Sequence, residues 1–139
     1  MKKLALDIGD AWTGIALSDF LGITVRPYKT VASADLLKEL HAIITTEKIG
    51  TIVIGYPATL RGTQSDQTRK VMAMADTIKE QFSTLECVFQ YERFTSQQAS
   101  RLSAKPRTIP TKETKLHQHA VAAALILQSY LDHLHTTSM

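Results

Sequence analysis

The chain has 139 residues, of which 44% are hydrophobic and 21% are charged, and its formal net charge at pH 7 is +3. This length accommodates one domain with a sizeable core and is too short for two lobes that enclose a cleft. The longest apolar run, residues 120–127, is far shorter than the roughly 18 residues of a membrane-spanning helix. The sequence therefore predicts a single domain over residues 1–139 and excludes a membrane-spanning protein.

Neither export nor a disulfide is predicted. Lys2 and Lys3 resemble the start of a signal peptide, but Asp7 interrupts the apolar segment that would have to follow. The single cysteine, Cys87, lies in an apolar segment and cannot form an internal disulfide. We therefore expect a cytoplasmic protein with no membrane partner, in which Cys87 is a reduced core thiol.

The first third of the chain has strand character. Three β-type segments, at residues 4–8, 13–17 and 23–31, are separated by short links. Links this short cannot contain a helix, so the three segments predict an antiparallel meander. Ser33 follows the third segment and is a candidate N-cap for the next helix.

Beyond Ser33 the pattern changes to alternating helices and strands. Helical spacing of apolar residues and β-branched runs predict a helix after Ser33, a strand at 50–57, a helix at 71–82, a strand at 85–91, a short helix at 97–102 and a last helix at 116–134. Strands joined through helices are parallel in most sheets. The predicted fold is therefore α/β, with a five-stranded mixed sheet in which helices flank an antiparallel three-strand meander and two parallel strands.

Asp7 is the first candidate site residue, because it interrupts an otherwise apolar strand. A carboxylate in this position has to be solvated by a cleft, hydrogen-bonded or neutralised by a cation. Gly9 and Gly14 lie on both sides of the following turn, where a phosphate could approach the backbone. A turn aspartate whose strand ends early is the alternative explanation.

Two further clusters lie at the ends of the predicted parallel strands. Gly55-Tyr56-Pro57 closes one strand and leads into a loop that contains Arg61. Glu92 and Arg93 close the other strand. Sites form beyond the carboxyl ends of parallel strands, so Glu92 can share a metal ion with Asp7 if the two strands lie close together. A surface Glu-Arg pair is the alternative.

A basic segment precedes the last helix. Residues 105–115 read KPRTIPTKETK and contain Lys105, Arg107, Lys112 and Lys115 against one glutamate. With two prolines and no hydrophobic periodicity, the segment is predicted to be a loop. Its charge suits a phosphate backbone, and a polar linker is the alternative.

Four segments, in order and across nearly the whole chain, resemble the YqgF (RuvX) family. They are LALDIGDAWTGIALSD with GIT, IVIGYPATLRGT, ERFTS and AVAAALILQSYL. The family comprises bacterial proteins with the ribonuclease H-like fold, described as Holliday junction resolvases and as the nuclease that trims the 5′ end of precursor 16S rRNA. The resemblance implies a metal-dependent nuclease that uses two Mg²⁺ or Mn²⁺ ions on structured RNA, with branched DNA as the other substrate. A catalytically silent nucleic-acid-binding module is the alternative, and the protein could be a monomer or a homodimer.

The resemblance also implies roles for individual residues. Asp7 and Glu92 match two metal-binding carboxylates of the family, whereas His119 stands where the family usually has a third. His119 could bind a metal ion or transfer a proton, and a helix histidine without either role is the alternative. The residues expected to contact nucleic acid are Gly9, Gly14, Arg61, Arg93, Lys105, Arg107, Lys112 and Lys115.

Overall fold

The structure is a computed structural model that describes residues 1–57, 66–92 and 112–137. Five strands are present in this part of the chain: β1 (Lys2–Ile8), β2 (Trp12–Ser18), β3 (Val25–Ala32), β4 (Ile49–Pro57) and β5 (Glu86–Glu92). The helices are a short 3₁₀ helix (Ser33–Asp35), α1 (Leu36–Glu47), α2 (Asp66–Gln81) and α3 (Lys112–Thr137). None of these helices combines the length and hydropathy needed to cross a bilayer.

The five strands form one sheet in the order β3-β2-β1-β4-β5. β1 pairs antiparallel with β2, and β2 pairs antiparallel with β3. β4 lies parallel to both β1 and β5. This arrangement confirms the predicted mixed sheet of a meander and two parallel strands. The carboxyl ends of β1, β4 and β5 share one edge of the sheet, which we call the carboxyl edge.

The two faces of the sheet are covered by different helices. On one face, Leu4 and Leu6 of β1 belong to a cluster that includes buried residues of α1 and α2. On the other face, which we call the α3 face, Ala5 and Ala16 pack with buried residues of α3. Small side chains on this face let the helix approach the sheet closely. Each fully buried leucine or isoleucine stabilises such a core by about 1.5–3 kcal/mol.

α3 crosses β2 at Gly14. A Cβ atom added to Gly14 would overlap the backbone carbonyl of His119 and lie 2.7 Å from the backbone nitrogen of Ala120. Only glycine permits this contact between helix and strand. The expectation that Gly14 leaves room for a phosphate differs from the structure, because the backbone of α3 occupies the space beside it.

Two boundary predictions also differ from the structure. No side-chain hydrogen bond caps the 3₁₀ helix or α1, and the Ser33 hydroxyl donates instead to the Gly9 carbonyl. α3 begins at Lys112, so Lys112 and Lys115 lie in a helix and not in a loop. Lysine and glutamate are good helix formers, and no helix breaker follows Pro110, so the helix extends into polar sequence where apolar spacing gives no signal. The predicted helix at 97–102 lies outside the described residues.

Replacing Gly14 with alanine tests the close contact between α3 and β2. We expect Gly14→Ala to lower the free energy of unfolding by about 1–3 kcal/mol or more, because the obstacle is helix backbone that cannot move aside cheaply. The measurement is urea unfolding followed by circular dichroism.

Gly50→Ala is the matched control for this prediction, because Gly50 is also a strand glycine. Its added Cβ would meet only the side chain of Met1, an exposed residue at the chain terminus. We expect a change within about 0.5 kcal/mol. Equal losses in the two variants would contradict the account of Gly14.

Candidate active site

Asp7 lies at the carboxyl edge, one residue before the end of β1. It pairs with Gly14 of β2. The pairing of β1 with β4 ends one residue earlier, at Leu6 and Ile54. Alternation along β1 puts Asp7 on the same face as Ala5, which is the α3 face, and its side chain is half-buried there. Asp7 therefore lies where β1 has separated from β4 and a ligand could reach it.

His119 of α3 lies next to Asp7. The backbone carbonyl of His119 packs against Gly14, which is the residue paired with Asp7. An electrostatic interaction with the half-buried His119 lowers the pKa of the Asp7 carboxylate. The same contact that requires glycine at position 14 therefore places the backbone of His119 over the strand partner of Asp7.

The net pKa shift of Asp7 is nevertheless upward. Burial of the carboxylate raises the pKa above its ordinary value of 3.8, and this effect exceeds the opposing attraction of His119. A raised pKa means that the folded protein disfavours the charged carboxylate. Above the ordinary pKa, Asp7 thus reduces the stability of the fold, which is typical of a group kept for function.

Glu92 is placed at the carboxyl edge by its backbone. It is the last residue of β5 and pairs with Pro57 of β4. Position 92 lies an even number of residues from Val88, which packs against the cluster on the α3 face. β4 separates β5 from β1, so the two strands lie about 10 Å apart. The structure describes Glu92 by its backbone only.

The described side chains do not complete a metal site by themselves. Among residues 1–57, 66–92 and 112–137, no three His, Cys, Asp or Glu side chains come together in a way that could hold a metal ion. Asp7 and His119 supply one oxygen and one nitrogen donor, and the oxygen belongs to a carboxylate that burial leaves poorly solvated. This donor chemistry fits Mn²⁺ or Mg²⁺, provided that another ligand such as Glu92 joins them.

The turn that follows Asp7 is held by three side chains from other parts of the chain. The Gln67 amide of α2 donates to the Ile8 carbonyl at 2.6 Å, and the Ser33 hydroxyl donates to the Gly9 carbonyl at 2.7 Å. Lys70 forms an ion pair with Asp10 at 2.8 Å, but both side chains are more than 60% exposed. Such a pair contributes only about 0–1 kcal/mol.

Gln67 and Ser33 have no place among the site residues expected from the sequence. Gln67 has no motif around it, and Ser33 matches the pattern of a helix cap. No sequence signal could have identified their contacts with β1, because both contacts depend on how distant elements pack.

The basic residues expected to contact nucleic acid are only partly located. Arg61, Arg93, Lys105 and Arg107 lie outside the described residues. Lys112 and Lys115 begin α3, and their side chains are not described. α3 runs from His119 at the carboxyl edge to Leu131, which lies near Gly22 at the opposite edge. The amino-terminal end of α3, which carries both lysines, therefore lies on the Asp7 side of the sheet.

Comparison with known sequences reveals one family across almost the whole chain. Residues 1–133 match RuvX, described as "Holliday junction resolvase". A protein from Dictyoglomus turgidum is 34% identical over 137 residues, which is 96% of each chain. One from Clostridium botulinum is 38% identical and covers 96% of this chain and 98% of its own. Both relatives bear the name "Putative pre-16S rRNA nuclease".

Comparison with solved structures identifies the same fold in a distant protein. A structure described as T. thermophilus RuvC in complex with Holliday junction substrate superimposes with a TM-score of 0.52. The two sequences are 14% identical, and the match covers 96% of each chain. This similarity confirms the ribonuclease H-like fold.

The raised pKa of Asp7 predicts how stability depends on pH. Between the ordinary pKa and the higher folded-state pKa, the folded protein binds the proton more tightly, so stability falls as the pH rises through this window. In buffer with EDTA at pH 7, we expect Asp7→Asn to unfold at a higher temperature than the wild type. The difference should disappear well below pH 3.8, where Asp7 is protonated in both the folded and the unfolded chain.

Asp19→Asn provides a control of opposite sign. Hydrogen bonds from the backbone N–H groups of Ile23 and Thr24 lower the pKa of Asp19, so its charged form stabilises the fold. That stability is present above the ordinary pKa and is lost as the pH falls. We therefore expect Asp19→Asn to unfold at a lower temperature at pH 7. Shifts in the same direction for both variants would contradict the prediction.

Proposed function

We propose that this chain, which belongs to the RuvX family, is a nuclease that hydrolyses phosphodiester bonds in structured RNA, with precursor 16S rRNA as its substrate. The family match and the names of relatives 34% and 38% identical over nearly the full length support a hydrolase acting on nucleic acid. The observation that carries the proposal is Asp7, a half-buried carboxylate beside His119 at the carboxyl edge. A cytoplasmic location is part of the same proposal.

Asp7 is suited to hold cations in this position. A half-buried carboxylate with a raised pKa is incompletely compensated by the protein alone, so cation binding would favour its charged form. β1 carries the carboxylate to the edge where β4 no longer pairs with β1. Asp7 thus lies on a paired strand, and its side chain is still partly exposed to solvent.

Glu92 and His119 complete the proposed ligand set. Glu92 ends β5 at the same edge, and His119 lies over Gly14 on α3. Divalent cations, when bound, activate a water molecule and stabilise charge on the leaving oxygen. Asp7, Glu92 and His119 would hold the cations beside the phosphodiester. His119 acts either as a ligand or as a group that transfers a proton near neutral pH.

The substrate backbone is proposed to approach the amino-terminal end of α3. This end carries Lys112 and Lys115, and the unpaired N–H groups of a helix start favour phosphates. The remaining cations proposed to contact RNA are Arg61, Arg93, Lys105 and Arg107. Gly9 stays in the proposed contact set because it is half-exposed in the turn after β1. Gly14 is not among the proposed contacts, because the backbone of α3 covers it.

Cleavage assays with Asp7→Asn test the proposed reaction. The assay uses labelled precursor 16S rRNA and, separately, a four-way DNA junction, each in Mg²⁺ and in Mn²⁺. We expect the wild type to cut the RNA and Asp7→Asn to cut it at least about 100-fold more slowly, the usual loss when one transition-state-stabilising group is removed. Binding measured by gel shift should change little.

Asp10→Asn is the matched control, because Asp10 is an exposed carboxylate in the same turn. It should cut at nearly the wild-type rate. Cleavage that survives Asp7→Asn would contradict the assignment of the site. A wild type that binds RNA without cutting it would favour the catalytically silent binding module. This module is the second candidate because His119 stands where the family usually has a third carboxylate. Preferential cutting of the junction would favour branched DNA.

Replacing His119 tests its role toward the metal ion. If His119 is a ligand, His119→Asp exchanges an imidazole for a carboxylate oxygen, which suits Mg²⁺ better. We expect the ratio of cutting rates in Mn²⁺ and Mg²⁺ to fall several-fold. His117→Asp serves as control, since His117 is exposed two residues earlier on α3. An unchanged ratio in His119→Asp would exclude the ligand role.

A further inference from the structure

The end of β1 is held by side chains where strand pairing stops. The last pair between β1 and β4 joins Leu6 and Ile54, so the carbonyl of Ile8 lies beyond that ladder. The side-chain amide of Gln67, in the first turn of α2, donates to this carbonyl at 2.6 Å. α2 thereby contacts the backbone one residue after Asp7. A buried carbonyl without a donor lowers the stability of the fold. Gln67 supplies the donor that β4 would have provided if the pairing had continued.

The next carbonyl along the chain, that of Gly9, is held by a residue of the 3₁₀ helix. The Ser33 hydroxyl donates its single proton to the Gly9 carbonyl at 2.7 Å. Its oxygen must then accept from Thr13, whose hydroxyl lies 2.8 Å away and which is fully buried. The Ser33 backbone N–H also donates to the Ala11 carbonyl at 2.9 Å. Ser33 is therefore joined to the turn by both its side chain and its backbone.

We propose that Gln67 and Ser33 are positioning residues: together they hold the two carbonyls that follow Asp7 and so set the orientation of its carboxylate. We call this pair the carbonyl clamp. The inference rests on the proposed function, in which Asp7 binds cations, and it adds residues that do not touch the reacting atoms. Without the clamp, the Ile8 and Gly9 carbonyls would lose these side-chain donors, and the end of β1 would keep only its pairing with β2 and the buried side chain of Ile8.

The clamp explains how the strand end that carries Asp7 stays ordered where its pairing with β4 has ended. Beyond the pair of Leu6 and Ile54, β1 lacks the hydrogen bonds to β4 that would keep a strand end ordered. Gln67 and Ser33 restore order from α2 and from the 3₁₀ helix by donating hydrogen bonds to the Ile8 and Gly9 carbonyls. Displacement of a catalytic group by about 1 Å can lower a rate about 100-fold, so a small loosening has a large effect.

Gln67→Met tests the clamp, because it keeps the length and helix propensity of the side chain and removes its donor. We expect kcat for precursor RNA to fall about tenfold or more, with KM within twofold. Ser18→Ala is the matched control. The Ser18 hydroxyl accepts from the Lys3 N–H at 2.8 Å and so holds β1 at its other end. Ser18→Ala should lower the unfolding temperature and leave kcat within twofold.

Amide hydrogen exchange followed by NMR separates a local effect near Asp7 from general destabilisation. It can be measured even if the protein cuts no substrate. The Gly9 N–H bonds to the Trp12 carbonyl within the clamped turn, whereas the Gly22 N–H bonds to the Asp19 carbonyl at the far edge. Gln67→Met should speed exchange at Gly9 at least tenfold and leave Gly22 unchanged. Ser18→Ala should leave Gly9 unchanged.

The outcomes distinguish the clamp from the proposed function. Unchanged exchange at Gly9 in Gln67→Met would overturn the clamp, whatever the activity. Faster exchange at Gly9 with an unaltered kcat would overturn its role in catalysis. A wild type that cuts no substrate would overturn the proposed function, and the exchange pattern would then still decide whether Gln67 orders the segment after Asp7.

Discussion

The candidate site depends on the contact between the backbone of α3 and Gly14. Because a Cβ atom at this position would overlap the carbonyl of His119, the helix can cross β2 here only over glycine. Gly14 is also the strand partner of Asp7, so the crossing point determines what lies above the carboxylate. Ala5 and Ala16 extend the flat surface on which α3 rests. The contact that packs α3 against the sheet is therefore the same contact that places α3 over the strand partner of Asp7.

The charge on Asp7 opposes this packing. Burial raises its pKa, and the electrostatic interaction with His119 only partly compensates. A chain selected for stability alone would have an uncharged residue here, since a neutral side chain of similar size avoids the cost of burying a charge. A bound cation would remove that cost. The energetic conflict is local, because the residues around Asp7 on β1 are among the most completely buried in the described chain.

A shared fold does not by itself account for the site. The RuvC structure superimposes over 96% of each chain at 14% identity, so the architecture tolerates almost complete replacement of the sequence. Function depends on which side chains occupy the carboxyl edge and on how they are held. Here the pairing of β1 with β4 ends at Leu6 and Ile54, one residue before Asp7. Gln67 and Ser33 supply order at the point where the sheet no longer does.

The sequence by itself determined the strands, the mixed sheet and the candidate role of Asp7, because these depend on local periodicity and on a carboxylate within an apolar run. Tertiary structure decided the rest. Gly14 looked like a phosphate contact and is a packing site, and Ser33 looked like a helix cap and holds the Gly9 carbonyl. The neighbours of Asp7 come from α2, α3 and the 3₁₀ helix, far away along the chain. Only packing brings them together, since the pattern around a residue records its own element and not the elements that will lie against it.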